Sequence, residues 1–113
     1  MSKILLIDDE AEICDFLQDF FQNKNYDTEI ALSGEDALKK IDKYQPDVCL
    51  LDIKMPGMSG IELLKIMREK YAAIKIVMLS AVDNKDMIEE ALKLGAANYL
   101  VKPLDLEALD NMF

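Results

Sequence analysis

Histidine is absent from this chain, and cysteine occurs only twice, as Cys14 and Cys49. A zinc site built from thiols and imidazoles is therefore excluded for practical purposes, because two cysteines far apart in sequence cannot supply its usual four ligands. Cys14 falls in a predicted helix and Cys49 in a predicted strand. We expect both to be small, buried, apolar side chains.

Long apolar runs and basic residues are also scarce. No run approaches the roughly 20 residues that a membrane-spanning helix needs. Near the N-terminus, the acidic residues 8–10 interrupt the first apolar run after four residues, which argues against a signal peptide. Thirteen basic residues stand against 22 acidic ones, giving a net charge of −9, which argues against a nucleic-acid-binding surface. We expect a cytoplasmic protein that contacts neither membrane nor nucleic acid.

The length and composition describe an ordinary globular domain. The chain has 113 residues, of which 51% are hydrophobic and 31% are charged, so it can bury a core without disulfides or a structural metal. No linker, internal repeat or low-complexity segment interrupts it. Residues 1–113 are therefore predicted to form one domain.

Short apolar runs alternate with amphipathic segments along the whole chain. Connections this short between alternating strands and helices require a parallel sheet with helices on both faces, a doubly wound α/β domain. The predicted strands cover residues 3–7, 26–32, 47–51, 75–79 and 97–101, and the predicted helices begin near residues 11, 33, 59, 84 and 104.

Four of the predicted strands end in polar or charged groups. Asp8 and Asp9 follow the first strand, Asp52 the third, Ser80 the fourth and Lys102 the fifth. Ligands of parallel sheets bind at the carboxyl ends of the strands. These groups should therefore meet at one edge of the sheet, although up to 94 residues separate them along the chain.

The chemistry of these groups points to a cation and to phosphate. Three converging carboxylates repel one another, and a carboxylate at the tip of a buried strand is costly unless it is paired. A divalent cation removes that conflict, and a set of oxygen ligands without histidine or cysteine favours Mg²⁺. The alternative for Asp8 or Asp9 is that one of them only caps the first helix.

Lys102 and Ser80 complete the predicted site from the other side. Lys102 supplies a positive charge, and a cis bond between Lys102 and Pro103 would aim it into the site. Ser80 can donate a hydrogen bond to an oxygen held there. The alternatives are a solvated surface lysine and a turn hydroxyl.

Four segments carry a resemblance to a known family. They are IDDE at residues 7–10, LLDIKMPGMSG at 50–60, LSA at 79–81 and LGAANYLVKPL at 94–104. In this order, the chain resembles the receiver domain of two-component response regulators. The resemblance implies a flavodoxin-like sheet with strand order 2-1-3-4-5. It also implies a longer fifth helix than these residues allow, so that helix is expected to be truncated.

The resemblance assigns a role to each group. It implies that Asp52 is the phosphoacceptor and that Mg²⁺, or Mn²⁺ in its place, is held by Asp8, Asp9, Asp52 and the backbone carbonyl of Lys54. Lys102 would contact the phosphoryl group. Ser80 and Tyr99 would be the switch residues that relay its arrival.

These roles predict a signalling switch rather than a metabolic enzyme. Its expected partners are a sensor histidine kinase or a histidine phosphotransfer protein, with homodimerisation on phosphorylation and an effector domain beyond these residues. Two alternatives remain. An aspartate-nucleophile phosphatase would place a second Asp where Lys54 stands, and a degenerate receiver would act only as an interaction module. A dinucleotide-binding domain is excluded, because no glycine-rich turn follows the first strand.

Overall fold

Five strands and five helices alternate in the computed structural model, which describes residues 2–81 and 85–113. The predicted start of the fourth helix, at residue 84, lies outside the described residues. The strands are β1 (Lys3–Ile7), β2 (Asp27–Ala31), β3 (Val48–Asp52), β4 (Lys75–Ser80) and β5 (Asn98–Val101). The helices are α1 (Ala11–Asn23), α2 (Gly34–Tyr44), α3 (Gly60–Lys70), α4 (Lys85–Lys93) and α5 (Leu106–Met112).

All five strands are parallel and lie in the order β2-β1-β3-β4-β5. The predicted doubly wound α/β fold with strand order 2-1-3-4-5 is therefore confirmed. The register brings the strand ends level, because Ile7 pairs with Leu51, Asp52 with Leu79 and Ser80 with Val101. None of the helices in the described ranges is long and apolar enough to cross a membrane.

Two hydrophobic cores lie on opposite faces of the sheet and share its three inner strands. Successive residues of a strand point to opposite faces, so Leu5 and Ile7 belong to the core under α2, α3 and α4, while Ile4 and Leu6 belong to the core under α1 and α5. The two cysteines are fully buried free thiols, as predicted. Burial raises the pKa of each to about 12, so both stay uncharged.

A serine side chain caps the start of α2 and of α3. The Ser33 hydroxyl accepts a hydrogen bond from the Asp36 amide at 3.0 Å, and the Ser59 hydroxyl accepts one from the Glu62 amide at 3.2 Å. Each cap satisfies an amide that has no partner inside the helix.

The strands differ from prediction mainly at their ends. β3 and β4 each run one residue further, through Asp52 and Ser80. Both polar residues therefore belong to the hydrogen-bonded ladder. The edge strand β2 is shorter than predicted, and Leu32 beyond it is 46% exposed.

Candidate functional site

Three polar side chains are buried in the part of the chain that the structure describes: Asp8, Asp52 and Ser80. All three lie at the carboxyl-terminal edge of the sheet, immediately after β1 or as the last residue of β3 or β4. Burying a charged or polar group is costly unless it is paired. Their concentration at one edge therefore marks this edge as the functional end of the domain.

The Lys102 ammonium lies at the centre of this edge. Its Nζ is 2.9 Å from Asp8 Oδ2, 3.4 Å from Asp52 Oδ2 and 3.4 Å from Glu10 Oε1. The Lys102 amide donates to the Ser80 carbonyl at 2.7 Å, which fixes its backbone beside the end of β4. The peptide bond between Lys102 and Pro103 is cis. One ammonium thus faces three carboxylates, and the cluster keeps an excess of negative charge.

Burial and mutual repulsion set the protonation of this cluster. Burial raises the pKa of Asp52 to about 6; the neighbouring Asp8 charge adds to the rise and the Lys102 ammonium opposes it. For Lys102, burial alone would lower the pKa, but the hydrogen bond to Asp8 and the Asp52 charge raise it overall. Lys102 therefore stays charged at neutral pH, whereas Asp52 is charged only at a cost in free energy.

The cluster has the ligand chemistry of a hard divalent cation. One oxygen each from Asp8, Glu10 and Asp52 lie within 4.8 Å of one another. Mg²⁺ binds carboxylate oxygens and completes its shell with water and phosphate oxygens. The residues present therefore fit Mg²⁺, which would also relieve the repulsion that raises the pKa of Asp52.

Glu10 is the residue of this cluster that sequence reasoning missed, whereas Asp9 is exposed and lies outside it. The Asp8 side chain accepts a hydrogen bond from the Glu10 amide at 3.0 Å, which shapes the turn between β1 and α1. No sequence signal separated Glu10 from Asp9, because the turn between β1 and α1 decides which of the two acids reaches the cluster. Asp9 as a metal ligand stays a prediction, as does the Lys54 carbonyl.

The other predicted residues surround the cluster. The Lys54 amide donates to Asp52 Oδ1 at 3.4 Å, so the backbone after β3 contacts the predicted acceptor. The Ser80 hydroxyl donates to the Ala81 carbonyl at 2.9 Å rather than to a carboxylate. Tyr99 lies on the edge strand β5 and is 39% exposed. Their switch roles remain predictions.

Comparison with known proteins identifies the family. Residues 4–113 match the family model described as the response regulator receiver domain. This chain belongs to that family. The predicted resemblance to receiver domains of two-component response regulators is thus confirmed. Receiver domains in general are signalling domains that partner with histidine kinases or phosphotransfer proteins. They typically bind Mg²⁺.

Individual relatives support the same assignment. The chain is 39% identical to Sporulation initiation phosphotransferase F of Bacillus subtilis over 95% of this chain and 86% of that protein. It is 40% identical to the B. subtilis Alkaline phosphatase synthesis transcriptional regulatory protein PhoP over 89% of this chain but only 42% of that protein. The solved structure of Vibrio cholerae chemotaxis protein CheY4 superposes with a TM-score of 0.92 at 33% identity, covering 99% of this receiver domain and 95% of CheY4.

Replacing Glu10 tests its place in the cluster. We expect Glu10→Gln to weaken Mg²⁺ binding by the receiver domain about 2- to 5-fold, because it removes one of three negative charges near the cation. Isothermal titration with MgCl₂ measures this affinity. Glu12→Gln is the matched control, since Glu12 is an exposed acid in the first turn of α1 that does not belong to the cluster. Equal weakening of Mg²⁺ binding in both variants would show that Glu10 acts only through the net charge of the domain and not through its place in the cluster.

Proposed function

We propose that this receiver domain is a phosphorylation-dependent switch of a two-component phosphorelay. In this proposal, Asp52 accepts a phosphoryl group from a phosphohistidine on a sensor histidine kinase or a histidine phosphotransfer protein. The observation that carries the proposal is the buried Asp52 carboxylate at a strand tip, beside Asp8 and 3.4 Å from the Lys102 ammonium. A nucleophile in this setting has a cationic partner for the charge that arrives with the phosphoryl group.

The proposed transfer is a displacement at phosphorus. A carboxylate oxygen of Asp52 forms the new O–P bond while the P–N bond of the phosphohistidine breaks, and the leaving imidazole nitrogen keeps the electron pair and takes up a proton. Lys102 stabilises the charge on the phosphoryl oxygens, and the Lys54 amide orients Asp52 through its Oδ1. Mg²⁺, when bound, neutralises charge on the same oxygens. Its proposed ligands are the carboxylates of Asp8, Asp9 and Asp52 and the carbonyl of Lys54.

The proposed output begins at Ser80. The phosphoryl oxygens on Asp52 would draw the Ser80 hydroxyl away from the Ala81 carbonyl, and Tyr99 would turn inward from β5. Both residues border the surface formed by α4, β5 and α5. This surface exposes apolar side chains, which support the proposal that it forms a homodimer or binds a partner on phosphorylation: Leu92, Tyr99, Val101 and Leu106.

We also propose the context of the domain. Residues 1–113 would act as one cytoplasmic receiver unit. This unit would itself contact neither nucleic acid nor a membrane. It would have no enzymatic activity beyond phosphotransfer and autodephosphorylation. The chain covers 86% of the first relative named above but 42% of PhoP and 24% of the regulatory protein AtoC of Escherichia coli. Any effector domain of the parent protein would lie outside residues 1–113.

Intact-mass measurement after incubation with acetyl phosphate and Mg²⁺ tests the proposal. We expect the wild-type domain to gain the mass of one phosphoryl group and Asp52→Asn to gain none, because the amide has no carboxylate oxygen to attack phosphorus. Asp19→Asn, which removes an exposed acid from α1, is the control that should be labelled normally. Turnover of a phosphate ester would favour the phosphatase alternative, and a wild-type domain that gains no mass would favour the degenerate module.

A further inference from the structure

Gly60, the first residue of α3, lies directly against the backbone of the proposed acceptor. A Cβ added at Gly60 would be 2.1 Å from the Asp52 carbonyl oxygen, 2.7 Å from Ile53 Cα and 2.9 Å from the Asp52 carbonyl carbon. These distances are far inside van der Waals contact. Because all three atoms belong to the backbone, no change of rotamer can relieve the overlap.

Neither side of this contact can move freely. Asp52 ends a central strand, where it pairs with Leu79, and the following Ile53 amide donates to the Leu79 carbonyl at 2.9 Å. On the other side, α3 buries side chains in the core, so lifting the helix would open that core. These side chains are Ile61, Leu63, Leu64 and Met67. Accommodating a Cβ must therefore shift packed structure, which is costly in a close-packed interior.

The segment between β3 and α3 connects this contact to the Asp52 carboxylate. The Gly60 amide donates to the Ile53 carbonyl at 2.8 Å and closes the segment back onto the strand. Inside the closed segment, the Lys54 amide donates to Asp52 Oδ1. A displacement at Gly60 therefore moves the group that orients the carboxylate.

We propose that Gly60 is a positioning residue for phosphoryl acceptance. Its lack of a side chain lets α3 pack on the Asp52 backbone, and this packing holds Lys54 and the Asp52 carboxylate in the geometry that accepts the phosphoryl group. The inference rests on the proposed function of Asp52. It adds a residue that neither binds the cation nor contacts the phosphoryl group.

Gly60→Ala tests the proposal, with Gly57→Ala as the matched control. Gly57 lies in the same segment with φ of +73°, so alanine strains its backbone, but the nearest atom to an added Cβ is Glu35 Oε1 at 3.6 Å. Both variants should therefore lose stability. Urea unfolding measures that loss, isothermal titration measures Mg²⁺ affinity, and intact mass gives the labelling rate at saturating acetyl phosphate and Mg²⁺.

We expect Gly60→Ala to label about 100-fold more slowly than wild type per folded molecule, because a displacement of about 1 Å in a reacting group has an effect of this size. Its Mg²⁺ affinity should fall about 5-fold or more, since the Asp52 carboxylate is a proposed ligand. Gly57→Ala should stay within about 2-fold of wild type in both measurements. If Gly60 had only a structural role, Gly60→Ala would change the urea unfolding curve but neither the labelling rate nor the Mg²⁺ affinity of the folded protein.

A wild-type labelling rate or a wild-type Mg²⁺ affinity for folded Gly60→Ala would overturn the positioning role. If the variant is largely unfolded, trimethylamine N-oxide favours the folded state, and full recovery of labelling in that solution would also overturn it. If the wild-type domain itself takes up no phosphoryl group, the proposed function fails separately. The Mg²⁺ affinities of the two glycine variants then decide whether Gly60 positions the carboxylate.

Discussion

Lys102→Met is expected to lower the free energy of unfolding by about 2–3 kcal/mol in magnesium-free buffer. The substitution keeps most of the side-chain volume but leaves Asp8, Asp52 and Glu10 without the ammonium that all three contact. A buried carboxylate without a partner is strongly unfavourable. Urea unfolding in the presence of a chelator measures the loss.

Mg²⁺ should restore much of the stability of Lys102→Met, because a cation bound to the carboxylates replaces the missing positive charge. Labelling by acetyl phosphate should nevertheless stay about 100-fold below wild type at saturating Mg²⁺, since no ammonium stabilises the phosphoryl oxygens. Lys65→Met removes an exposed lysine from α3 and is the control. An equal loss of stability in Lys65→Met would contradict the role given to Lys102.

Asp52→Asn is expected to shift stability in the opposite direction, raising the free energy of unfolding by about 1–2 kcal/mol at pH 7.5 without Mg²⁺. The wild-type carboxylate is charged at that pH although burial, and then the Asp8 charge, raise its pKa to about 6. The amide removes this charge at similar volume. Urea unfolding in chelator at pH 7.5, 6.0 and 5.0 measures the difference between the two proteins.

The pH dependence of this difference has a definite sign. The pKa of Asp52 is about 6 in the folded domain and near 3.8 in the unfolded chain, so the folded state takes up a proton first as pH falls. The unfavourable charge is lost in that range, and the advantage of Asp52→Asn should shrink between pH 7.5 and pH 5. Asp19→Asn serves again as the control. A gain that does not change with pH would show that repulsion at Asp52 is not its cause.

The sequence predicted the doubly wound fold because the patterns that indicate strands, helices and their connections are local in the chain. Short connections and alternating apolar runs leave few arrangements other than a doubly wound sheet, and each strand ends within about one residue of its predicted position. Because the carboxyl ends of parallel strands lie together, the same pattern predicted that Asp8, Asp52 and Lys102 would meet. Their contacts in the structure agree with that expectation.

What the sequence could not predict depends on three-dimensional detail. Asp9 and Glu10 are both acidic residues that follow β1, and the sequence does not show which of them reaches Lys102. In the structure, the Glu10 amide donates a hydrogen bond to the Asp8 side chain, within the turn that brings Glu10 to Lys102. The proposed role of Gly60 depends on how closely its Cα approaches the backbone of Asp52, which lies eight residues earlier at the end of β3. No periodicity or composition records such a distance.

The shared strands of the two cores have a consequence for how the domain communicates. Since β1, β3 and β4 contribute alternate residues to both helix layers, a displacement at their tips would shift residues that pack against helices on both sides of the sheet. In the proposed switch, two partners bound on opposite sides would then be thermodynamically linked through Asp52, and linkage is reciprocal. A target that prefers the proposed phosphorylated form would therefore increase the population of that form, and the downstream partner would help to set the strength of the incoming signal.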